Sequence, residues 1–351
     1  MKMTFRWYGD SDRVSLDEIS QIPGVSGIVS AVYGSKPGEL WRESDILHIK
    51  NSANAHGLEF KVVESVPVHE EIKLWGADAR ELSEIYAQNV IRLGKAGIDC
   101  ICYNFMPVFD WFRTDLRHVL PDGSNCLAYD DKVLSELDPA GDFHLPGWDE
   151  SYTKDELKRL LERYAAQDAE KLWDNYERFL RIVIPAAESC GVKMAVHPDD
   201  PPWGIFGLPR IITGEDSVER LMRTVDSPSN GLTFCTGSLG ADPSNDPVKI
   251  ARKYASRIPF AHLRNVEITG ERRFIETAHP TACGSLDMYG IVKALVEGGF
   301  DGYVRPDHGR MIWGETGKGG YGLYDRALGA AYLNGLFEGV TKCAANGTQD
   351  R

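Results

Sequence analysis

No stretch of this 351-residue chain comes near the roughly 20 apolar residues that a membrane helix needs. The opening stretch, MKMTFRWYGDSDR, carries no apolar signal-peptide core, so a cytoplasmic location is expected. An excess of basic residues is also missing: 39 Lys and Arg stand against 52 Asp and Glu, a formal charge of -13 without a local basic patch. Such a surface repels phosphate backbones and anionic lipid, which argues against nucleic-acid and membrane partners and favours a small molecule. Paired cysteines are lacking too. The seven, at 100, 102, 126, 190, 235, 283 and 343, form no disulfide framework and suit a reducing compartment. No Gly-x-Gly-x-x-Gly turn follows the first strand-like run, which weighs against an open dinucleotide-binding sheet.

What the chain does have is 42% hydrophobic residues, enough for a large core, and a regular alternation of short apolar runs with helical patterns. TFRWYG, SGIVSAVY, LEFKVVES and DCICYNFM read as four strands, with helices at about 16–22 and 38–56 and over LWGADARELSEIYAQNVIRLGKAG. The rhythm breaks from about 107 to 150, where aromatics, Pro, Gly and Asp predict an irregular lid over the end of a barrel. It resumes with one long helix from Thr153 to Ser189, stopped by Gly191. KMAVHPDD, GLTFCTG, PFAHLRNVEI and GYVRPDHG supply four further strands, and a last helix from Leu323 to about Lys342 closes the set. The expected fold is α/β, a single (β/α)8 TIM barrel over residues 1–351 with a lid insertion after strand 4.

Four metal-capable side chains stand at the downstream ends of the last four strands: His197, Cys235, His262 and Asp307. They step along the chain by about 38, 27 and 45 residues, roughly one β/α unit each, so a closed ring brings them to one mouth. Any one of them alone reads as a structural residue; together, a thiolate, two imidazoles and a carboxylate suit Mn²⁺, Fe²⁺, Co²⁺ or Zn²⁺. Beside them lie His308, Arg305, Arg264, Asn265 and, further on, Tyr324 in GGYGLYDRALG. The arginines offer planar forks for an anionic group, which an acidic protein needs in order to hold a small acid. Asn104 after strand 4 and Trp313 after the ligand turn are further candidates for substrate contact by position, with Arg6 in the first strand a smaller one.

The motifs TFRWYG, PGVSGIVSAVYG, PVFDWFRTDLR, AVHPDDPPWGIFGLPRI, TFCTGSLG, HLRNV, ETAH, GSLDM, RPDHGRMIWGE and YGLYDRALGAAYLNGL resemble the mannonate dehydratase family from Thr4 to the last helix. The resemblance implies a xylose-isomerase-like barrel and a metal-dependent lyase that converts D-mannonate to 2-keto-3-deoxy-D-gluconate and water in hexuronate and glucuronate breakdown. It implies that His197, Cys235, His262 and Asp307 bind one Mn²⁺ or Fe²⁺. His308 and Tyr324 would then form the acid/base pair, Tyr324 provisionally the base, with the reverse order left open. A homo-oligomer, dimer or higher, is expected from the habit of such enzymes. The wording departs from the family around Tyr33 to Lys36 and at Lys318-Gly319. A sugar isomerase or epimerase on the same barrel, a barrel-type endonuclease and a non-catalytic sugar-acid binder remain as alternatives, since fold alone does not choose among them.

Overall fold

The computed structural model describes residues 1–139 and 153–346. Eight parallel strands close into a barrel: β1 (Lys2–Arg6), β2 (Val25–Ser30), β3 (Glu59–Glu64), β4 (Cys100–Tyr103), then, after two strands of a second sheet, β7 (Lys193–Val196), β8 (Asn230–Cys235), β9 (Phe260–Leu263) and β12 (Tyr303–Pro306). Neighbours follow chain order around the ring, and β12 closes on β1 with Lys2 opposite Tyr303. Runs such as CICY, NGLTFC and FAHL are buried along their whole length because helices cover the outside while side chains fill the inside. Val29, Val62, Cys100, Cys102, Ala195, Phe260 and Tyr303, from six of the strands, form a cluster separate from the main core, the packed interior of the ring.

Outside the ring, the helix Ala79–Lys95 buries Tyr86, Val90 and Leu93, a stripe at helical spacing. It packs against the helix Ala169–Cys190. That second helix is the later part of the stretch that the sequence reads as one helix from Thr153. The structure breaks it in two, Lys154–Tyr164 and Ala169–Cys190. The cause is capping: Thr153 and Glu156 form a reciprocal box at the first start, and Asp168 accepts from Lys171 N to begin anew. Gly191 does end the helix, with φ +73°, a conformation that costs glycine little.

The insertion after β4 also differs from expectation. Its described part is not irregular throughout: after a stretch without regular elements to Thr114, β5 (Asp115–Val119) and β6 (Asn125–Asp130) form an antiparallel hairpin, followed by a helix Asp131–Ser135, while residues 140–150 lie outside the described residues. The hairpin turns through PDGS, where Leu120 N donates to Ser124 O at 2.8 Å and Asp122 accepts from Ser124 N at 3.0 Å. The run PFAHLRNVEI likewise divides. β9 ends at Leu263, and β10 (Val266–Gly270) turns into β11 (Arg273–Glu276), so that the four strands join in the order β10-β11-β6-β5. Tyr129 of β6 stacks on Phe274 of β11 with ring centroids 5.6 Å apart. This second sheet carries two of the charged side chains that meet at the barrel mouth, Arg113 just before β5 and Glu276 at the end of β11.

Candidate active site

All four expected ligands reach the same end of the ring. His197 follows β7, Cys235 ends β8, His262 lies opposite Cys235 in β9, and Asp307 follows β12. His197 Nε2 lies 3.2 Å from His262 Nδ1, Cys235 Sγ 3.6 Å from Asp307 Oδ2, and His262 Nδ1 3.8 Å from that same oxygen. Donor atoms bonded to one ion at about 2.0–2.3 Å stand at such separations. His197, Cys235 and His262 offer atoms mutually within 4.8 Å. His197 Nδ1 donates to Pro198 O at 2.7 Å, which leaves the Nε2 lone pair for the cluster.

The electrostatics fit a bound cation. Burial opposes ionisation of Cys235, yet Arg264 and His197 outweigh it and hold the thiol well below its ordinary range. The Ser238 hydroxyl donates to the same sulfur at 3.1 Å. Burial also opposes the charge on Asp307, but Arg305 and His308 keep its carboxyl well below the usual value. Its Oδ1 is buried and makes no hydrogen bond, although Arg305 Nη2 lies in ion-pair range at 2.7 Å. Burial opposes a charge on His197, but Cys235 raises it to about 9. A second donor group, Glu64, Cys102 and His262, shares one imidazole with the first. There burial and Glu64 push the Cys102 thiol well above its ordinary value, so it is the poorer ligand.

Two arginines brace this cluster in different ways. Arg264 is saturated: Nε donates to Asp307 Oδ2 at 2.8 Å, Nη1 to Glu276 Oε1 at 2.7 Å and Nη2 to Asp200 Oδ2 at 2.7 Å. Gly237 makes room for it, since a Cβ there would stand 2.6 Å from the guanidinium carbon. Arg305 donates from Nη2 to Glu64 Oε1 at 2.9 Å and from Nε to His262 Nε2 at 3.0 Å, while its Nη1 is buried without a hydrogen bond. Arg6, at the end of β1, has Nε and Nη1 buried and unbonded too, with Glu64 Oε2 3.5 Å from Nη1. Unbonded buried donors of this kind cost free energy unless a ligand or water fills the gap.

His308 sits beside the cluster, and its partner is Tyr321. The Tyr321 hydroxyl lies 2.8 Å from His308 Nε2, and Nδ1 lies 2.9 Å from both oxygens of Glu276. Burial pushes the Tyr321 phenol up to about 12, with Arg305 pulling the other way. Tyr324 is placed elsewhere: it opens the last helix 42% exposed, with its ring on Trp313, which is 74% exposed. Glu315 accepts from Leu323 N and Tyr324 N, so the helix starts there and leaves Tyr321 in the preceding loop to reach inward. Asn265 is buried, but its amide is used: Nδ2 donates to Pro280 O, and Oδ1 accepts from Val266 N and Leu286 N. Asn104 is half-buried just past β4. The residues that sequence reasoning passed over are Glu64, Arg113, Asp200, Glu276 and Tyr321. Glu64 carried the same positional signal as the ligands, being the last residue of a barrel strand.

A ring of nitrogen, sulfur and oxygen donors at the carboxyl ends of barrel strands, flanked by a histidine–tyrosine pair, defines a metal-dependent enzyme of the β/α-barrel class. The D-mannonate dehydratase family pattern matches residues 1–347, and the chain belongs to that family. The mannonate dehydratase of Streptococcus uberis is 54% identical over 347 residues, covering 98% of this chain and all of the relative. That of Streptococcus agalactiae serotype Ia is 53% identical over 345 residues, covering 97% and 99%. The crystal structure of mannonate dehydratase from Streptococcus suis serotype 2 superposes with a TM-score of 0.92 at 48% identity, covering 98% of this chain and 96% of that one. D-psicose 3-epimerase from Clostridium cellulolyticum H10 shares the fold, with a TM-score of 0.56 at 14% identity over 99% of both chains.

Proposed function

We propose a division of labour for the reaction of the family, in which D-mannonate loses the C2 proton and the C3 hydroxyl to give 2-keto-3-deoxy-D-gluconate. His197, Cys235, His262 and Asp307 hold one divalent ion, Mn²⁺ or Fe²⁺, as their mixed nitrogen, sulfur and oxygen set suits a borderline metal. When bound, such an ion supplies Lewis-acid stabilisation of the charge that develops beside the substrate carboxylate. Arg305 and Arg6 receive the carboxylate itself, a role supported by their unbonded buried donors. Arg264, fully engaged with three carboxylates, holds Asp307 in place.

His308 and Tyr321 move the protons. The raised phenol stays protonated near neutrality and is suited to protonate the departing C3 hydroxyl, leaving His308 Nε2 to accept the C2 proton. Tyr321 thus takes the part that the sequence gives to Tyr324, and the order of acid and base is reversed. The enol released by this elimination tautomerises to the 2-keto acid. The observation that carries the reading is the convergence of His197, Cys235 and His262 beside Asp307, with the His308–Tyr321 pair at the same mouth.

We further place the enzyme in the cytoplasm, in hexuronate breakdown. All seven cysteines are free thiols, and no described helix is long and apolar enough to cross a membrane. The insertion over about 107–150 serves the same catalytic unit as a cap, a role supported by Arg113 reaching Glu276 from it. A homo-oligomer, dimer or higher, finds support in the exposed Trp313, Tyr324 and Leu328. The test of the reaction is product analysis with purified protein and Mn²⁺. A 2-keto acid lighter than D-mannonate by one water is expected; an isomer of unchanged mass would move the chain to isomerase chemistry, and no product with any divalent ion would end the dehydratase reading.

A further inference from the structure

Glu276 lies on the second sheet, at the end of β11, not on a barrel strand, yet it is buried at the mouth and takes no part in the ligand set. Two guanidinium groups and an imidazole converge on it. Arg113, from the insertion before β5, donates to Oε1 from Nε at 3.0 Å and from Nη2 at 2.7 Å; Arg264 Nη1 donates to Oε1 at 2.7 Å; His308 Nδ1 stands 2.9 Å from each oxygen. Arg113 is in turn clamped by Asp200, to which it donates at 2.8 and 2.9 Å. Burial works against the charge on Glu276, but Arg264, His308 and Arg113 hold its carboxyl down to about 2. An ionised carboxylate only accepts hydrogen bonds, so the proton in its contact with His308 belongs to Nδ1. Neutral imidazole carries one ring proton, and Nε2 is then left as a lone pair facing the Tyr321 hydroxyl at 2.8 Å.

We propose that Glu276 is the positioning residue for His308: its carboxylate, pinned by Arg113 and Arg264, fixes the imidazole's tautomer and orientation so that Nε2 serves proton transfer. The proposal rests on the proton-transfer reading of His308 and adds a contribution from the second sheet. A mouth built from the ring alone would leave His308 Nδ1 without this acceptor, and the imidazole free to turn. Arg113 and Glu276 come from the insertion and from the hairpin after β9, and β6–β11 pairing brings those two segments together. The second sheet is therefore part of the catalytic apparatus and more than a cover over it.

The experiment is a double-mutant cycle with metal content and substrate affinity read alongside turnover. Glu276→Gln keeps the shape but replaces the charged, acceptor-only carboxylate with a neutral amide that can also donate; kcat is expected to fall on the order of 100-fold, a size met when an outer carboxylate behind a functional histidine is lost. KM and bound Mn²⁺ should stay near the wild-type values, because Glu276 bonds to Arg113, Arg264 and His308 and to none of the four candidate ligands. Glu276→Asp should recover part of kcat. Glu276→Gln added to His308→Gln should cost nothing beyond His308→Gln alone, since a residue that acts through another has no effect once that other is gone. Full, multiplied losses in the double variant, or a parallel fall of metal content and affinity in Glu276→Gln, would overturn the proposal. Loss of turnover in His308→Gln with none in Glu276→Gln would also overturn it, while leaving the proton-transfer reading standing. Full turnover in His308→Gln would sink both. Should the Glu276 variants fail to fold, ¹⁵N-histidine spectra of the unaltered protein, with His308→Gln as the assignment control, decide the matter. A protonated Nδ1 and bare Nε2 on His308 are expected, and the opposite tautomer would contradict the proposal.

Discussion

The two halves of the barrel mouth carry different chemistry. β7, β8, β9 and β12 end in His197, Cys235, His262 and Asp307, whose donor atoms crowd together, whereas β1 to β4 end in Arg6, Ser30, Glu64 and Tyr103. Of these four only Arg6 and Glu64 bear charge, and Glu64 leans across the ring: it accepts from Arg305 at 2.9 Å and lies 3.3 Å from His262 Nε2. Ser30 is spent on a hydrogen bond to Trp7 O, and the Tyr103 hydroxyl on Tyr176. The later half thus carries the candidate cation donors together with Arg264 and Arg305, and the earlier half faces them with Arg6 and Glu64. The ring's symmetry sets where side chains emerge; the residue types at the strand ends decide what each half does.

Substitutions on the two sides should separate accordingly. Cys235→Ser removes a thiol held well below its ordinary range from the candidate ligand set, and both bound Mn²⁺ and turnover should fall by more than the about 10–100-fold lost when a partner behind a ligand is removed, measured by elemental analysis and 2-keto acid formation. Tyr321→Phe should lower kcat by about 10²–10⁴-fold with metal retained, the usual contribution of a positioned acid or base. Away from the mouth, in the first half of the chain, Glu70 accepts from Lys73 at 2.6 Å and from Tyr164 at 2.5 Å in a buried network. Glu70→Gln should cost about 3–5 kcal/mol of stability by leaving the ammonium unpaired, seen in denaturant unfolding, without loss of metal. Arg6→Gln should raise KM for D-mannonate by about 10–100-fold with a smaller change in kcat, as expected for about 1.5–3 kcal/mol from a charged hydrogen bond. Tyr324→Phe should change turnover by no more than about twofold, as a surface substitution worth less than about 0.5 kcal/mol. A large effect of Tyr324→Phe, with none of Tyr321→Phe, would reverse the placement of the proton-transfer pair.

The barrel was legible because buried parallel strands leave short apolar runs with a repeating spacing, and the ligand candidates stood out because each occupied the same place in its run. The second sheet was not, since β5 and β10 are largely exposed and the PDGS turn was absorbed into a stretch that read as loop. Asn265 shows another limit: its position beside His262 suggested substrate contact, but its amide closes the loop around Pro280 and Leu286. Tyr321 and Tyr324 lie three residues apart, and only the place where the last helix begins distinguishes the inward ring from the outward one. Glu276 could not be paired with His308 from sequence, because the contact depends on a hairpin folding back over the mouth.

The most direct test of the central claim is an anomalous-scattering map from crystals of the protein loaded with Mn²⁺. A single peak is expected within bonding distance of His197 Nε2, Cys235 Sγ, an imidazole nitrogen of His262 and an oxygen of Asp307. A peak instead among Glu64, Cys102 and His262, or none near His197 and Cys235, would contradict the account.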